Sequence, residues 1–283
     1  AMAICASARG CGPCVKNWEA GLADAGKGSQ DSLLRRLLSP RQRAWIGSMR
    51  RKYGLQWPRR GSVAFGDLRR VTPVSASFGM ERGRPIDRHY IEAFLATNAD
   101  AIRGRTLELG DPFYINKYGQ GRVSQPEVLH YVEGNPDATI VADLTNAPHI
   151  ADNSFDCIIF TQTLQMIWDM NAALDTLHRI LKPGGVLLLT TSGISKIGRR
   201  LGRDDWGEYW RLTAPAVERL AAERFPGSTA VVTPYGNVLS ATAYLQGLAL
   251  EELEPDELDF CDPDFEVIIG ARITKAAVSK AAA

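Results

Sequence analysis

Leu181-Lys182-Pro183-Gly184-Gly185-Val186-Leu187-Leu188-Leu189-Thr190-Thr191 is the stretch on which the fold turns. Pro183 presets φ and the two glycines permit a tight change of direction, so a helix ends here and a strand begins. That strand, expected over 185–191, is apolar at consecutive positions rather than alternate ones. Such a strand is buried on both faces, as in a parallel sheet covered by helices on either side.

Working outward, 170–181 reads as a helix and 155–160 as the strand before it. Three more strands are expected at 139–142, ending at Asp143, at 127–131, and at 106–109, ending at Gly110-Asp111. Residues 85–97 form an amphipathic helix with Ile86, Tyr90, Ile91, Phe94 and Leu95 on one face. Downstream, 214–224 is a helix, and 229–233 and 265–273 are closing strands. A mostly apolar helix over 239–253 joins the closing strands and serves as a lid or a dimer surface. Strands alternating with helices predict an α/β fold, a doubly wound, mostly parallel seven-stranded sheet with any ligand beyond the strands' carboxyl ends.

Composition narrows the class. The 283 residues carry 33 Lys and Arg against 32 Asp and Glu, with 45% apolar and 23% charged residues. That balance excludes a basic nucleic-acid coat and a disordered acidic tail. No run approaches the ~20 apolar residues of a membrane span. Residues 1–8 are too short and lack the basic start of a secretory signal. Five cysteines, an odd number, point to a reducing, cytoplasmic setting. Cys157 and Cys261 sit in apolar runs and read as buried hydrophobes. Cys11-Gly12-Pro13-Cys14 is open between a redox pair, half of a zinc site with Cys5 nearby, and a flexible leader.

The net charge of +1 conceals an arrangement. From 32 to 66 there are nine basic residues and no acid; from 225 to 271 there are nine acids and no Lys or Arg. These segments are expected to face each other, within a monomer or across a homodimer. Residues 1–30 read as a flexible leader, 31–84 as a basic helical extension, 85–275 as the core and 276–283 as a tail. Within the extension, 31–38 has helical leucine spacing, and Ser39-Pro40-Arg41-Gln42 opens a second helix with a capping box and Pro at its first position. Ala44, Trp45 and Met49 form its apolar stripe, which is expected to pack on the protein itself rather than serve a nucleic-acid arm.

Residues 105–193 resemble the core of a class I S-adenosylmethionine-dependent methyltransferase, the branch similar to ubiquinone/menaquinone-type enzymes. Three pieces carry the resemblance in order: Leu107-Glu108-Leu109-Gly110; Ala142-Asp143-Leu144 followed by Asp152-Asn153-Ser154-Phe155-Asp156; and Leu181-Lys182-Pro183-Gly184-Gly185. The resemblance implies a Rossmann-like methyltransferase fold, S-adenosylmethionine as cofactor and S-adenosylhomocysteine as product. It implies that Glu108 meets the methionyl amino group or positions the loop. Gly110 lets backbone approach the ligand, and Asp143 and Leu144 meet the adenine. Thr161 closes the fourth strand beside them. Asp156 reads as structural.

The family continues its first motif as Gly-x-Gly, whereas Asp111-Pro112-Phe113-Tyr114 follows Gly110 here. The acid that follows the second strand in the family is also missing; His130 or Glu133 lies nearest, and Asp111 is a substitute for the ribose contact. Either a variant loop holds the cofactor or the scaffold has lost it. Methyl transfer needs a base only for a weakly acidic acceptor, and His89 and His149 are the candidates. His178 reads as surface or packing. The acceptor side draws on Arg88, Tyr90, Trp206, Tyr209, Trp210 and Arg211, where aromatics suit stacking on a planar or sugar ring, or else form a hydrophobic clasp. Phe78-Gly79-Met80-Glu81-Arg82-Gly83-Arg84 has the texture of a flap. The stretch from Trp57 through Tyr90 resembles methyltransferase-like modules that accompany bacterial glycosyltransferases, which implies a saccharide or small natural product as acceptor. The alternatives are a repurposed module without methyl transfer, and a nucleic-acid methyltransferase or binder. Thr161-Gln162-Thr163-Leu164, where base-amine methyltransferases carry Asn/Asp-Pro-Pro-Tyr/Phe, lowers the last. No metal is expected.

Overall fold

The computed structural model describes residues 38–55, 58–198 and 207–277. The leader with Cys11 and Cys14, residues 31–37, Trp57, Trp206 and residues 278–283 lie outside the described residues. In chain order the helices are α1 Pro40–Lys52, α2 Ile86–Thr97, α3 Phe113–Tyr118, α4 Met170–Ile180, α5 Ala214–Arg224, α6 Val238–Gln246 and α7 Pro255–Asp259. The strands are β1 Gly104–Leu109, β2 Val123–His130, β3 Ile140–Val141, β4 Phe155–Thr161, β5 Leu181–Ser192, β6 Thr229–Tyr235 and β7 Ile268–Thr274.

These strands form one seven-stranded sheet in the order β3-β2-β1-β4-β5-β7-β6. The first five run parallel, with Cys157 to Thr161 of β4 facing Val186 to Thr190 of β5. β7 alone is reversed, pairing antiparallel with β5 and β6. Because successive strand residues point to opposite faces, β5 feeds two cores. Leu187 and Leu189 pack with Ile158, Phe160, Leu177 of α4 and Val217 of α5. Leu188 packs on the other face with Ile159, with Ile91 and Phe94 of α2, and with Ala241 and Tyr244 of α6. The consecutive apolar residues of β5 are therefore each buried, at roughly 1.5–3 kcal/mol for each large side chain.

Local chemistry sets the element ends. Asp169 accepts the Ala172 N–H to start α4, and Thr213 accepts the Ala216 N–H to start α5. Asp156 accepts the Arg105 amide at 2.8 Å and the Lys182 ammonium at 2.8 Å, tying β1, β4 and β5 together at their amino-terminal ends. Partial burial raises its pKa, but Lys182 and the Arg105 amide together outweigh that and hold the carboxyl below its ordinary range. Asp156 is structural, as expected.

Four expectations change. The 239–253 helix ends at Gln246, because Gly247 adopts φ +71°, and a 3-10 turn at Leu250–Glu252 follows. Asp111-Pro112 does not lead a loop: Pro112 takes the N-cap position of α3, which the sequence patterns did not reveal. α1 has its capping box and Pro start, yet buries no residue, so its stripe does not pack on the described protein. Finally, among the described residues the arginine ion pairs of the acidic segment run to Arg82 and Arg84 through Glu252 and Glu251, outside the basic 32–66 stretch, part of which is not described. These pairs dock the 77–84 turn onto the turn after α6, where Pro85 and Ala249 form a β-bridge. No helix of the described residues is long and apolar enough to cross a membrane.

Candidate functional site

A cleft of about 920 Å³ lies across the carboxyl ends of β1 to β4. Parallel strands bring these ends to one edge, and the turns that follow them supply the walls. Gly110, directly after β1, has φ +94°, a backbone that L side chains rarely adopt. A Cβ built there would meet nothing within 4 Å, so the backbone faces open space. Its N–H donates to the Leu129 carbonyl at 3.0 Å, and its own carbonyl accepts the Asn135 amide. The variant turn is thus anchored to the β2 side without the second glycine.

Glu108 explains how the loop turns. Its side chain, 2% exposed, accepts the backbone N–H of Tyr114 at 2.9 Å and of Ile115 at 2.7 Å. Those are amino-terminal amides of α3, which have no partner within the helix. Burial pushes the carboxyl up to about 7, against the lowering effect of the two amides. These two bonds fit the positioning role expected of Glu108, which also lines the cleft. Asp111 accepts the Phe113 N–H at 2.9 Å and stays exposed at the mouth.

On the opposite wall, Asp143 follows β3 and its Oδ1 accepts the Thr145 N–H and hydroxyl, both at 2.8 Å. The carboxylate is a turn former that is also exposed on the cleft. Leu144 is buried beneath it, Thr161 ends β4, and His130 ends β2 with Nδ1 2.7 Å from the Val132 carbonyl. All seven residues expected around the cofactor, Glu108, Gly110, Asp111, His130, Asp143, Leu144 and Thr161, line this one cleft.

The rest of the lining is mixed. Arg88 lines the cleft and donates to the Tyr114 hydroxyl at 3.1 Å, and Tyr209 lines it from the segment after β5. Trp168, which the sequence reading missed, stands beside Tyr209 edge-on at 5.3 Å and stacks on Trp210 at 5.3 Å. A tryptophan just before the N-cap Asp169 of α4, in a segment otherwise suited to a turn, was the available signal. Gln162, also missed, has φ +50° and lines the cleft, while its side-chain oxygen accepts Gln165 and Ser192. Gln165, Thr191 and Ser192, its partners, are buried while Gln162 is partly buried, so a polar network holds a backbone conformation that costs on the order of 1–3 kcal/mol.

Other expected site residues lie elsewhere. His89 sits 3.5 Å from Asp259, and His149 is exposed, both away from the lining. Tyr90 is buried in the α2 core, because its helical face is the apolar one. Trp210 donates to the Ile167 carbonyl and Arg211 pairs with Glu208, so these two form the clasp and not the lining. Glu133 is exposed outside the cleft. From the expected flap, only Arg84 reaches the lining. Among the described residues no cluster of potential metal ligands occurs.

The cleft fits an adenosyl-methionine ligand in its chemistry. Gly110 opens backbone to close approach, Asp111 and Asp143 are exposed acceptors, and Leu129, Ala142 and Leu144 offer an apolar wall. Its size is that of pockets that enclose ligands of several hundred daltons.

Residues 122–189 match the model of a family described as a methyltransferase domain. The match spans β2 to β5 and leaves the variant Glu108–Pro112 turn outside it. Over 46 residues the chain is 46% identical to a ubiquinone/menaquinone biosynthesis C-methyltransferase of Haemophilus ducreyi. That segment is 16% of this chain and 18% of the relative, so the chain spans under a fifth of that relative's length. A solved S-adenosylmethionine-dependent methyltransferase of Mesorhizobium loti is similar at 17% identity and a TM-score of 0.45, over 67% of this chain and 98% of that one. One of Archaeoglobus fulgidus is similar at 9% identity and a TM-score of 0.45, over 66% of this chain and 94% of that one. Scores at this level say nothing of substrate. The domain match and the three motifs make the core of this chain similar to the class I S-adenosylmethionine-dependent methyltransferases.

Proposed function

We propose that this chain binds S-adenosylmethionine across the ends of β1 to β4 and transfers its methyl group to an oxygen of a small acceptor, a saccharide or natural product. The observation that carries this reading is the gathering of Glu108, Gly110, Asp111, His130, Asp143, Leu144 and Thr161, from four strand ends, around one cleft. When bound, the cofactor supplies an already electrophilic methyl on sulfur, and the acceptor's lone pair displaces the thioether. The chain's part is orientation and exclusion of water. Gly110 and the α3 turn hold the methionyl end, and Asp143 and Leu144 hold the adenine. Tyr209 and Trp168 provide stacking faces for a ring, with Gln162 and Asp169 as polar neighbours in the lining. Neither His89 nor His149 serves as base in this arrangement.

A homodimer belongs to the same proposal. Val238, Leu239 and Leu245 of α6 are exposed and apolar, which supports a dimer surface there.

The altered Gly110-Asp111-Pro112 turn keeps a second reading alive, a methyltransferase-like module without transfer. Calorimetry with S-adenosylmethionine and S-adenosylhomocysteine separates the two. Binding of both is expected; absence of binding at millimolar ligand would overturn the enzymatic reading.

A further inference from the structure

α1 is the element for which the proposed reaction has no use. It is capped by Ser39 and Gln42, contains Arg41, Arg43, Arg51 and Lys52, and has no acid and no buried residue. At helical spacing, Trp45, Met49, Tyr53 and Ile46 fall within an arc of about 100°. Arg43 flanks one edge of that arc, and Arg41 and Lys52 flank the other. Trp45 is 62% exposed and Tyr53 65%. The chain that follows adds exposed Leu55, Val63 and Phe65, interleaved with Arg59 and Arg60.

Two requirements must be met by whatever covers this face. Its cations call for a polyanion, and its aromatic and aliphatic arc calls for an apolar phase. A second copy of α1 would bring like charges together. Nucleic acid satisfies the cations and leaves the Trp45, Ile46 and Met49 arc against a phosphate backbone. An anionic bilayer satisfies both, with indole and phenol rings at the headgroup level and arginines on the phosphates. At 13 residues α1 is about 20 Å long, too short to span, so it lies in the plane.

We propose that α1, with residues 53–55 and 58–65, is a membrane-surface anchor that docks the protein on anionic lipid. It is independent of the methyl-transfer reading, since no α1 residue lines the cleft.

The test is co-sedimentation of the full chain with phosphatidylcholine vesicles, with and without phosphatidylserine. Sedimentation only with phosphatidylserine, falling as salt is raised, is expected. Trp45→Ser with Met49→Ser should lower partitioning at least tenfold. Arg41→Glu with Arg43→Glu should also lower it, by about fivefold for each positive charge removed. Both variants should keep wild-type affinity for S-adenosylhomocysteine, which shows that they fold. Equal sedimentation without phosphatidylserine, no sedimentation at all, or partitioning that neither variant changes would each overturn the proposal. So would duplex DNA or RNA binding without vesicle binding, a dimer that Trp45→Ser dissociates, or vesicle binding only after removal of residues 1–37.

Discussion

Glu108 and Ile115 are seven residues apart, and the carboxylate of the first accepts the backbone N–H of the second at 2.7 Å inside the protein. With the parallel bond from Tyr114, this makes a strand residue the terminus of the next helix, and it bends the chain around Gly110. The bent turn is what the cofactor would meet, so a largely buried acid in the cleft's lining shapes the site through the backbone it holds.

Protonation of Glu108 has a defined sign. Its pKa rises from an ordinary 4.5 to about 7 in the folded chain. Between those values the folded state binds more protons than the unfolded one, so the contribution of this group is full below about pH 4.5 and is lost as pH rises through 7. The swing is at most about 3 kcal/mol. Urea unfolding of wild type and Glu108→Gln across pH 4.5–8 should show wild type losing its advantage as pH rises. A constant difference would remove the assignment.

Gly110→Ala separates backbone strain from ligand approach. Positive φ makes the substitution cost about 1–2 kcal/mol of stability, while open space around the Cβ adds no clash. A cofactor lying against this turn would meet the new methyl. Calorimetry should therefore show a loss of S-adenosylhomocysteine affinity of tenfold or more, beyond what the shift in melting implies. Asp143→Ala should weaken the same ligand by on the order of 1–3 kcal/mol. Unchanged affinity in either variant moves the cofactor elsewhere.

The aromatic rim predicts a split between ligands. Trp168→Ala and Tyr209→Ala should raise KM for the acceptor severalfold and leave S-adenosylhomocysteine affinity within about twofold, because these rings come from the segments after β4 and β5 and not from the turns after β1 and β3 assigned to the cofactor. Equal damage to both ligands would assign the rings to the clasp with Trp210.

Salt should act on the strap that joins 77–84 to the turn after α6. Arg82–Glu252 and Arg84–Glu251 are both solvent-accessible pairs, hence screened by salt. Hydrogen exchange at 79–84 should quicken at high salt, and in Arg84→Ala, while exchange in β4 and β5 stays unchanged. Uniform quickening would show that the strap and sheet open together.

Much of this architecture is legible locally. The apolar runs of β4 and β5, the Ser39–Gln42 capping box and the Thr213-Ala214-Pro215 start of α5 each encode their element within a few residues, because backbone propensity and burial act there over short range. The α2 periodicity even puts Tyr90 on the buried face and Arg88 on the other. The Gly247 break after α6 and the α3 start after Pro112 were not legible, since each depends on partners remote in sequence: the Ser75 backbone crowding Gly247, and the Glu108 carboxylate capping α3. The sequence by itself determined a parallel, doubly covered sheet and the residue types at its strand ends. Only the tertiary structure decided which of those residues share a cleft, that β7 runs backward, and that the described residues leave α1 without a buried side chain. Those outcomes depend on crossovers and packing between segments far apart in the chain, which no local pattern records.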